Sequence, residues 1–389
     1  MRTRALHKTH RECTKDSFDT VALLLQGGGA LGAYQCGVYE ALAEADVMPN
    51  WIAGISIGAI NSAIIAGNDP QHRVAKLRGF WERITDGPAN AWLDAAKNTF
   101  RGHQMRSQVN KMNAAWALVA GAPGFFTPRV PIPFFSPLGT AESTSWYDTS
   151  LLRSTLLEFV DFDLVNHGHL RLSVGAVNVR SGNFVYFDTT THKIGPDHIM
   201  ASGALPPGFP AIEIDGEYYW DGGLVSNTPL QWVVDNEPGA DVLAFQIDLW
   251  SARGPMPSSL PDVAVRQKEI QFSSRTRAGT NVIKQRQVLR AKLSKFLNEL
   301  PTQLQSGDGY DELRELANDR AYNIVHLIYR SQHYEGDSKD YEFSRLSMEE
   351  HWRAGYNDAV RSLRHPEILR HPQNAERLLT FDLHVDGRD

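Results

Sequence analysis

Two short apolar runs near the start of the chain are each followed by a glycine turn and a helical pattern. The first, Val21 to Leu25, ends in Gln26 and three glycines and passes into 30–45, where apolar residues recur at helical spacing. The second, Trp51 to Ala53, is followed by a turn and then by small apolar residues over 57–66, which predict a buried helix. Two successive strand–turn–helix units predict a parallel sheet covered by helices.

Four later segments are rich in β-branched or aromatic residues and are predicted to extend this sheet. They are residues 170–178, 184–188, 242–249 and 321–329. The last follows a long polar, helix-prone stretch, so the chain beyond residue 250 is expected to return a strand to the sheet. The predicted fold class is α/β with a mainly parallel central sheet and a helical C-terminal extension.

The organisation along the chain follows from these patterns. We expect a flexible leader over 1–18, a main domain over 19–250, and a mainly helical extension over 251–389. Within the main domain, 90–145 is aromatic and proline-rich, and its prolines should prevent a long regular element. They are Pro123, Pro128, Pro131, Pro133 and Pro137. This insertion is predicted to form a cap.

Composition narrows the class of function. The formal net charge is -6 with both signs interspersed, which argues against a nucleic-acid partner. Two cysteines in 389 residues are typical of a reducing compartment, so we expect a cytoplasmic protein. No apolar run approaches the roughly 20 residues that a membrane-spanning helix needs, and the N-terminus lacks the apolar stretch of a secretory signal. Peripheral contact with a membrane is still compatible with these features.

The sequence Gly54-Ile55-Ser56-Ile57-Gly58 lies where the second strand gives way to its helix. A serine on so sharp a turn needs neighbours without side chains, because a Cβ at Gly54 or Gly58 would collide with the adjacent strand or helix. Its hydroxyl would lie at a helix N-terminus, which favours an oxyanion. Ser56 is therefore a candidate nucleophile, although an isolated match to this pattern is more often a simple packing turn.

Two further glycine motifs carry candidate chemistry. Gly27, Gly28 and Gly29 can direct successive amides at one point, as an oxyanion hole requires, although such a loop also cradles phosphates. Asp221 precedes two glycines at the end of an apolar segment, and burial beneath aromatic residues would raise its pKa toward that of a useful base. The alternative for this Asp-Gly pair is a hairpin turn.

Taken together and in this order, the motifs resemble the patatin-like phospholipases and lipid acyl hydrolases. GGGALG follows the first strand, GISIG follows the second, and ASGALPPGFPAIEIDGEYYWDGGLVSNTPL contains the Asp-Gly-Gly; the resemblance covers Val21 to Leu249. It implies a three-layer α/β/α sandwich and a dyad of Ser56 and Asp221 without histidine. Gly27, Gly28 and Gly29 would supply the oxyanion donors, and neither a metal nor a cofactor is needed.

The chain departs from the family pattern at Leu31, where members commonly carry Arg or Lys before the last glycine of the loop. The charged stretches 326–334 and 341–358 resemble the extension of a bacterial subgroup. Among the histidines, His198 is the candidate for a conventional triad or a related acyltransferase, both of which rank below the dyad hydrolase.

The expected substrate is a lipid or another acyl ester: phospholipid, lysophospholipid, neutral ester or thioester. Aromatic residues of the insertion would suit an acyl chain or a lipid surface, or would simply form core; they are Trp116, Phe125, Phe126, Phe134 and Phe135. The rival interpretation is an interaction module with relaxed catalysis, in which the C-terminal extension binds a protein partner or a second copy of the chain.

Overall fold

The computed structural model describes residues 9–13, 15–87, 103–236, 241–317, 320–330 and 339–382, except for the side chains of 103–109, 111, 261 and 274–278. Within these residues one sheet has nine strands: β1 (Thr20–Leu25), β2 (Trp51–Ile55), β5 (Arg171–Asn178), β6 (Phe184–Asp188), β7 (Ile212–Ile214), β8 (Glu217–Asp221), β9 (Val242–Asp248), β10 (Tyr322–Ile328) and β11 (Leu378–Phe381). A separate two-stranded ladder joins β3 (Thr127–Pro128) to β4 (Tyr147–Asp148).

The strand order is β11-β10-β9-β1-β2-β5-β8-β7, and β6 also pairs with β5. The neighbours from β11 to β5 are all parallel, whereas β6, β7 and β8 pair antiparallel. The predicted α/β class with a mainly parallel sheet is therefore confirmed. All four later segments predicted as strands lie in this sheet, but β11 and the β7–β8 hairpin were not predicted.

Helices connect these strands. They are α1 (Ala33–Glu44), α2 (Ile57–Ala66), α3 (Arg73–Ile84), α4 (His103–Ala120), α5 (Ala141–Thr144), α6 (Ser150–Phe159), α7 (Phe162–His167), α8 (Pro196–Ser202), α9 (Leu230–Asn236), α10 (Leu260–Glu299), α11 (Asp308–Leu316) and α12 (Arg345–Leu363). Across the described ranges, none is both long enough and apolar enough to cross a membrane.

Both faces of the sheet are covered, because successive strand residues point to opposite sides. Leu23 and Leu25 of β1 belong to a core with residues of α1, α2 and α12. Ala22 and Leu24, which alternate with them, belong to a second core with residues of α9 and with Ile283 of α10. Helix, sheet and helix thus form three layers.

The C-terminal third is part of this architecture. β10 pairs with β9 over seven residues from Tyr322, and β11 follows on the outer edge. Helix α12 packs on α1 with almost no side chain between the two backbones. A Cβ added to Gly37 would lie 1.8 Å from the carbonyl oxygen of Trp352, and one added to Gly355 would lie 1.9 Å from that of Tyr34. These glycines allow the close approach.

The insertion differs from the prediction at its start. Helix α4 has 18 residues and continues to Ala120, so the first part of the stretch predicted to be irregular is a long helix. It ends before Pro123, where the first proline would interrupt it. Beyond it, 121–140 contains only a two-residue strand and one short 3-10 turn. Residues 90–102 of the predicted insertion lie outside the described residues.

The described part of the predicted leader contacts the folded domain. His10 bonds to Glu44 of α1 at 2.8 Å, and the buried ring of Phe18 stacks on His371 with centroids 4.4 Å apart. The division of the chain at residues 18 and 250 stays a prediction.

Candidate active site

Ser56 occupies the turn between β2 and α2 in a backbone conformation that residues with a side chain rarely adopt. Its φ is 58° and its ψ is -126°, immediately before the first residue of α2. Such a backbone costs on the order of 1–3 kcal/mol and persists only where the surroundings hold it. The Ser56 amide donates to Ser202 Oγ at 3.0 Å, and that hydroxyl donates to the carbonyl of Gly175 at 2.6 Å. Ser202 therefore fastens the turn to β5.

The two flanking glycines are required by close contacts, as predicted. A Cβ on Gly54 would lie 2.3 Å from the carbonyl oxygen of Gly58, and one on Gly58 would lie 2.2 Å from that of Leu25. Both obstacles are backbone atoms that cannot move aside without shifting β1 or α2. The elbow thus depends on helix and strand approaching within backbone contact.

The glycine loop after β1 lies beside this elbow. A Cβ on Gly27 would lie 2.8 Å from Ser56 Cβ, which shows how closely the loop approaches the serine. Asn227 clamps Gly27 from both sides: its Oδ1 accepts from the Gly27 amide at 2.9 Å, and its Nδ2 donates to the Gly27 carbonyl at 3.1 Å. Trp250 Nε1 donates to the same carbonyl at 2.9 Å.

The clamp corrects one of the predicted roles. Because the Gly27 amide already donates to Asn227, it is not free to bind an oxyanion, and the predicted set of donors reduces to Gly28 and Gly29. Ile57 is the first residue of α2, so its amide has no acceptor inside the helix. Ile57 also lines a cavity of about 310 Å³ beside Ser56. It is a third candidate donor that the sequence analysis did not name.

The C-terminal third supports the other end of this loop. The Ala30 amide donates to the carbonyl of Asp340 at 2.8 Å, and Gly29 has a φ of +55°. Lys268 of α10 holds the Asp340 carboxylate at 2.7 Å and also lines the cavity. Leu31 of the same loop is fully buried in the core. Lys268 and Asp340 thus bring an ion pair to the edge of the cavity.

Gly29→Ala should destabilise the protein far more than Gly182→Ala. Both glycines have positive φ, +55° and +69°, but a Cβ on Gly29 would lie 2.1 Å from the Asp340 carbonyl oxygen, whereas nothing lies within 4 Å at Gly182. We expect Gly182→Ala to cost about 1–2 kcal/mol from backbone strain alone. Gly29→Ala should cost a further ~2 kcal/mol or more from displacing the carbonyl. Urea unfolding measures both, and equal midpoints would contradict the role of the contact.

Asp221 ends β8 and is buried beneath the same cavity. It is 2% exposed, and its Oδ1 accepts from the Gly223 amide at 2.7 Å. Burial raises the pKa of Asp221 from 3.8 to about 6, and hydrogen bonds from the Ser56 side chain and the Gly223 amide partly oppose this rise. Ser56 and Asp221 thus line one cavity, and the Ser56 side chain lies close enough to lower the pKa of Asp221, although the two residues are 165 positions apart in the sequence.

The Asp-Gly pair at 221–222 is not the hairpin turn that the alternative interpretation suggested. The hairpin joins β7 to β8 through Asp215 and Gly216, which have φ values of 53° and 82°. Asp221 instead precedes a short 3-10 turn over Gly222–Leu224. A Cβ on Gly222 would lie 2.6 Å from the Gly175 carbonyl oxygen, so close packing against β5 explains this glycine.

A cavity of about 310 Å³ opens above these residues. Gly27, Gly28, Gly29, Ser56 and Asp221 all contribute to its wall. Most of the remaining lining is apolar, including Phe125, Phe126, Phe209, Phe272, Tyr341 and Phe343. The last four were not identified from the sequence: Phe209 lies in a motif in which only Asp221 and its glycines were given a role, and the other three come from the C-terminal third. Apolar walls around a buried acid and a serine suit a substrate with a hydrocarbon portion.

Other sequence candidates lie elsewhere. His198 is not part of the cavity wall; its Nδ1 accepts from the Gly195 amide at 3.0 Å, and burial lowers its pKa. Of the aromatic residues in the insertion, Phe125 and Phe126 line the cavity, whereas Phe134 and Phe135 are 79% and 78% exposed. Trp116 is also exposed and borders a smaller adjacent cavity.

Two triacylglycerol lipases match parts of this chain. A 71-residue segment is 32% identical to triacylglycerol lipase SDP1L of Arabidopsis thaliana, covering 18% of this chain and 9% of that protein. A 147-residue segment is 26% identical to triacylglycerol lipase 4 of Saccharomyces cerevisiae, covering 38% of this chain and 12% of that protein. The crystal structure of VipD from Legionella pneumophila aligns with a TM-score of 0.40 at 15% identity, over 92% of this chain and 69% of that one.

Two family models match the chain. One, described as patatin phospholipase, matches residues 270–375 in the C-terminal third. The other, described as patatin-like phospholipase, matches residues 23–233, which is more than half of the 389 residues and includes all three glycine motifs. With the α/β sheet described above, this match shows that the chain belongs to the patatin-like phospholipase family, whose general class of activity is lipid acyl hydrolysis.

Proposed function

We propose that this protein hydrolyses carboxylic esters of lipids, with Ser56 as the nucleophile and Asp221 as the general base. The observation that carries the proposal is a buried carboxylate with a pKa of about 6 that shares the wall of an apolar cavity with Ser56, whose side chain lowers that pKa. A carboxylate at its ordinary pKa of 3.8 is a weak base, and the rise brings it closer to the working range of a catalytic group.

The reaction follows as acyl transfer in two steps. The Ser56 hydroxyl attacks the ester carbonyl and passes its proton to Asp221, and the negative carbonyl oxygen accepts hydrogen bonds from the amides of Gly28, Gly29 and Ile57. The ester C–O bond breaks, and the leaving alcohol takes the proton from Asp221. Water then attacks the acyl-serine, again losing its proton to Asp221. The bond between the acyl carbon and Ser56 Oγ breaks, Oγ takes the proton back from Asp221, and the free fatty acid departs.

The class of substrate follows from the walls of the cavity and from the family. Aromatic and aliphatic side chains line most of the space above Ser56, which favours an acyl chain over a sugar or a charged peptide. Lys268 places a positive charge at the edge, held by Asp340. We therefore infer a lipid ester, and phospholipid, lysophospholipid and triacylglycerol are the substrates to compare.

The proposal is tested by incubating the purified chain with each of these lipids and with a medium-chain nitrophenyl ester, and by measuring fatty acid release. A fluorophosphonate probe should label the protein, and mass spectrometry of the tryptic peptides should locate the adduct on Ser56. An inert and unlabelled protein would favour the rival interpretation, an interaction module that binds a partner through its C-terminal third. An adduct on another serine would overturn the assigned nucleophile.

Activity should depend on pH through a single group near pH 6. Only the ionised form of Asp221 accepts the Ser56 proton, so kcat/KM should fall about tenfold for each pH unit below the pKa of about 6 and level off above it. The measurement uses a nitrophenyl ester, which does not ionise, with buffer hydrolysis subtracted at each pH. A profile that is flat between pH 4.5 and 7, or that rises toward acid, would contradict Asp221 as the base.

A further inference from the structure

The proline-rich loop of the insertion, residues 129–140, exposes an unusual number of large apolar side chains. Val130, Phe134, Phe135 and Leu138 are 92%, 79%, 78% and 97% exposed, and Ile132 is about half exposed. Phe134 packs edge-on against the partly exposed ring of Trp146, with centroids 5.6 Å apart. Single exposed apolar residues are ordinary, but a contiguous group of this kind marks a site of interaction.

Helix α4 extends this surface. Met112, Trp116 and Val119 recur at helical spacing and are exposed, whereas the small residues Ala114 and Ala117 face inward. An ordinary surface helix buries its large apolar residues. In the part of α4 whose side chains are described, the large apolar residues face outward instead. We call the exposed apolar side chains of α4, of loop 129–140 and of Trp146 the apolar rim.

The apolar rim is attached to the mouth of the cavity. The Trp146 amide donates to the Pro207 carbonyl at 3.1 Å, the Tyr147 amide donates to the Gly208 carbonyl at 2.9 Å, and Tyr147 Oη donates to the Leu118 carbonyl at 3.0 Å. Leu118, Tyr147, Pro207 and Gly208 all line the cavity that contains Ser56. A surface that covered the rim would therefore lie next to the opening.

The charge of the insertion indicates what that surface is. Between Asp94 and Glu142 the sequence has no acidic residue but has five cationic ones, in a chain whose net charge is -6. They are Lys97, Arg101, Arg106, Lys111 and Arg129. Among them only the side chain of Arg129 is among the described ones, and its Nε donates to Ser145 Oγ at 3.0 Å. A positive, apolar segment in an acidic protein complements a negatively charged lipid surface, where each nearby Lys or Arg adds to the attraction.

We propose that the apolar rim docks on an anionic lipid surface and presents the cavity to it. Phe134, Phe135 and Leu138 insert among the acyl chains, and the positive net charge of the insertion's sequence favours a surface with negative head groups. The ester of a membrane lipid then reaches Ser56 without first crossing bulk water. This part of the proposal rests on the function proposed above, whereas docking itself does not require catalysis.

Docking is tested by flotation with vesicles of phosphatidylcholine alone or of an equal mixture of phosphatidylcholine and phosphatidylglycerol. The test protein, called the rim variant, carries the triple substitution Phe134→Ser/Phe135→Ser/Leu138→Ser. The matched control is Met256→Ser/Leu260→Ser/Leu289→Ser, whose side chains are 91%, 85% and 67% exposed away from the insertion. Wild type and control should bind the anionic vesicles, less at high salt, and the rim variant should bind at least tenfold more weakly. Since all six side chains are exposed, both variants should fold, which circular dichroism verifies.

Hydrolysis separates a failure of docking from a failure of the proposed function. The rim variant should keep its activity on a soluble short-chain nitrophenyl ester and lose at least tenfold on phospholipid in anionic vesicles. If wild type does not bind vesicles, or if the rim variant binds as well as wild type, docking is wrong even if ester hydrolysis is intact. A concentration-dependent dimer that the rim substitutions abolish, without vesicle binding, would instead make the rim an interface between copies.

Discussion

Ser56→Ala should lower kcat for ester hydrolysis by on the order of a thousandfold or more and abolish labelling by a fluorophosphonate. The substitution removes the attacking oxygen but leaves the oxyanion donors and the cavity, so some residual activity over water is expected. Binding of a non-hydrolysable ether lipid should be almost unchanged, because the walls of the cavity are intact. Initial rates with a nitrophenyl ester and gel fluorescence of the probe provide the measurement.

Ser226→Ala is the matched control for this substitution. Ser226 is also a half-buried serine close in sequence to the candidate site, but its hydroxyl contacts only the carbonyl of Thr228, at 3.5 Å, and it does not line the cavity. Rates and labelling of this variant should equal those of wild type. Persistent labelling of Ser56→Ala, or equal losses in both variants, would rule out Ser56 as the nucleophile.

Asp221→Asn should be nearly inactive and yet more stable than wild type at neutral pH. Loss of the base should cost on the order of a thousandfold in kcat, similar to the loss of Ser56, if the two act as a unit. An asparagine can still accept from the Gly223 amide and can donate to Ser56. The substitution therefore removes the charge while keeping the local hydrogen bonds.

The gain in stability follows from the direction in which burial moves the pKa of Asp221. This pKa is about 6 in the folded protein and 3.8 in the unfolded chain, so the contribution of Asp221 to stability is most favourable below pH 4 and falls as the pH rises toward 6. Above that range the buried carboxylate costs about 3 kcal/mol, because each pH unit between the two pKa values corresponds to about 1.36 kcal/mol. Asparagine is neutral throughout and avoids this cost.

The measurement is the difference in Tm between Asp221→Asn and wild type from pH 4 to 8. This difference should grow between pH 4 and 6 and then stay constant, because other titrating groups are shared by both proteins. Asp69→Asn, at an exposed position, should change neither Tm nor rate. A difference that is constant with pH, or that decreases as the pH rises, would show that Asp221 is not held in the buried, destabilised state that its role as a base requires.

The C-terminal third contributes more to the candidate site than a partner-binding appendage would. Asp340 supports the oxyanion loop through Ala30, and Phe272, Tyr341 and Phe343 close one side of the cavity. Deleting this part would expose β9 and the second core, so truncation cannot serve as a neutral test of partner binding. Whether this surface also binds a protein or a second copy stays a prediction.

Local patterns in the sequence were sufficient for the elements that depend on neighbouring residues. Alternating and continuous apolar runs predicted β1, β2, β5, β6, β9 and β10, and the spacing of Gly54 and Gly58 around Ser56 predicted the elbow. Each of these features is determined within about ten residues. The strand β11 and the hairpin of β7 and β8 were missed, because short edge segments carry too few apolar residues to give a period.

The sequence by itself determined the fold class and the chemical identity of the serine, the acid and the glycine loop. Only the tertiary structure decided that Ser56 and Asp221 line one cavity, that Asn227 accepts from the amide of Gly27, and that Lys268 and Asp340 reach the site from the C-terminal third. The pKa of Asp221 was also a tertiary property, since it depends on how completely distant segments exclude water. Contacts of this kind join residues hundreds of positions apart, and no local pattern encodes them.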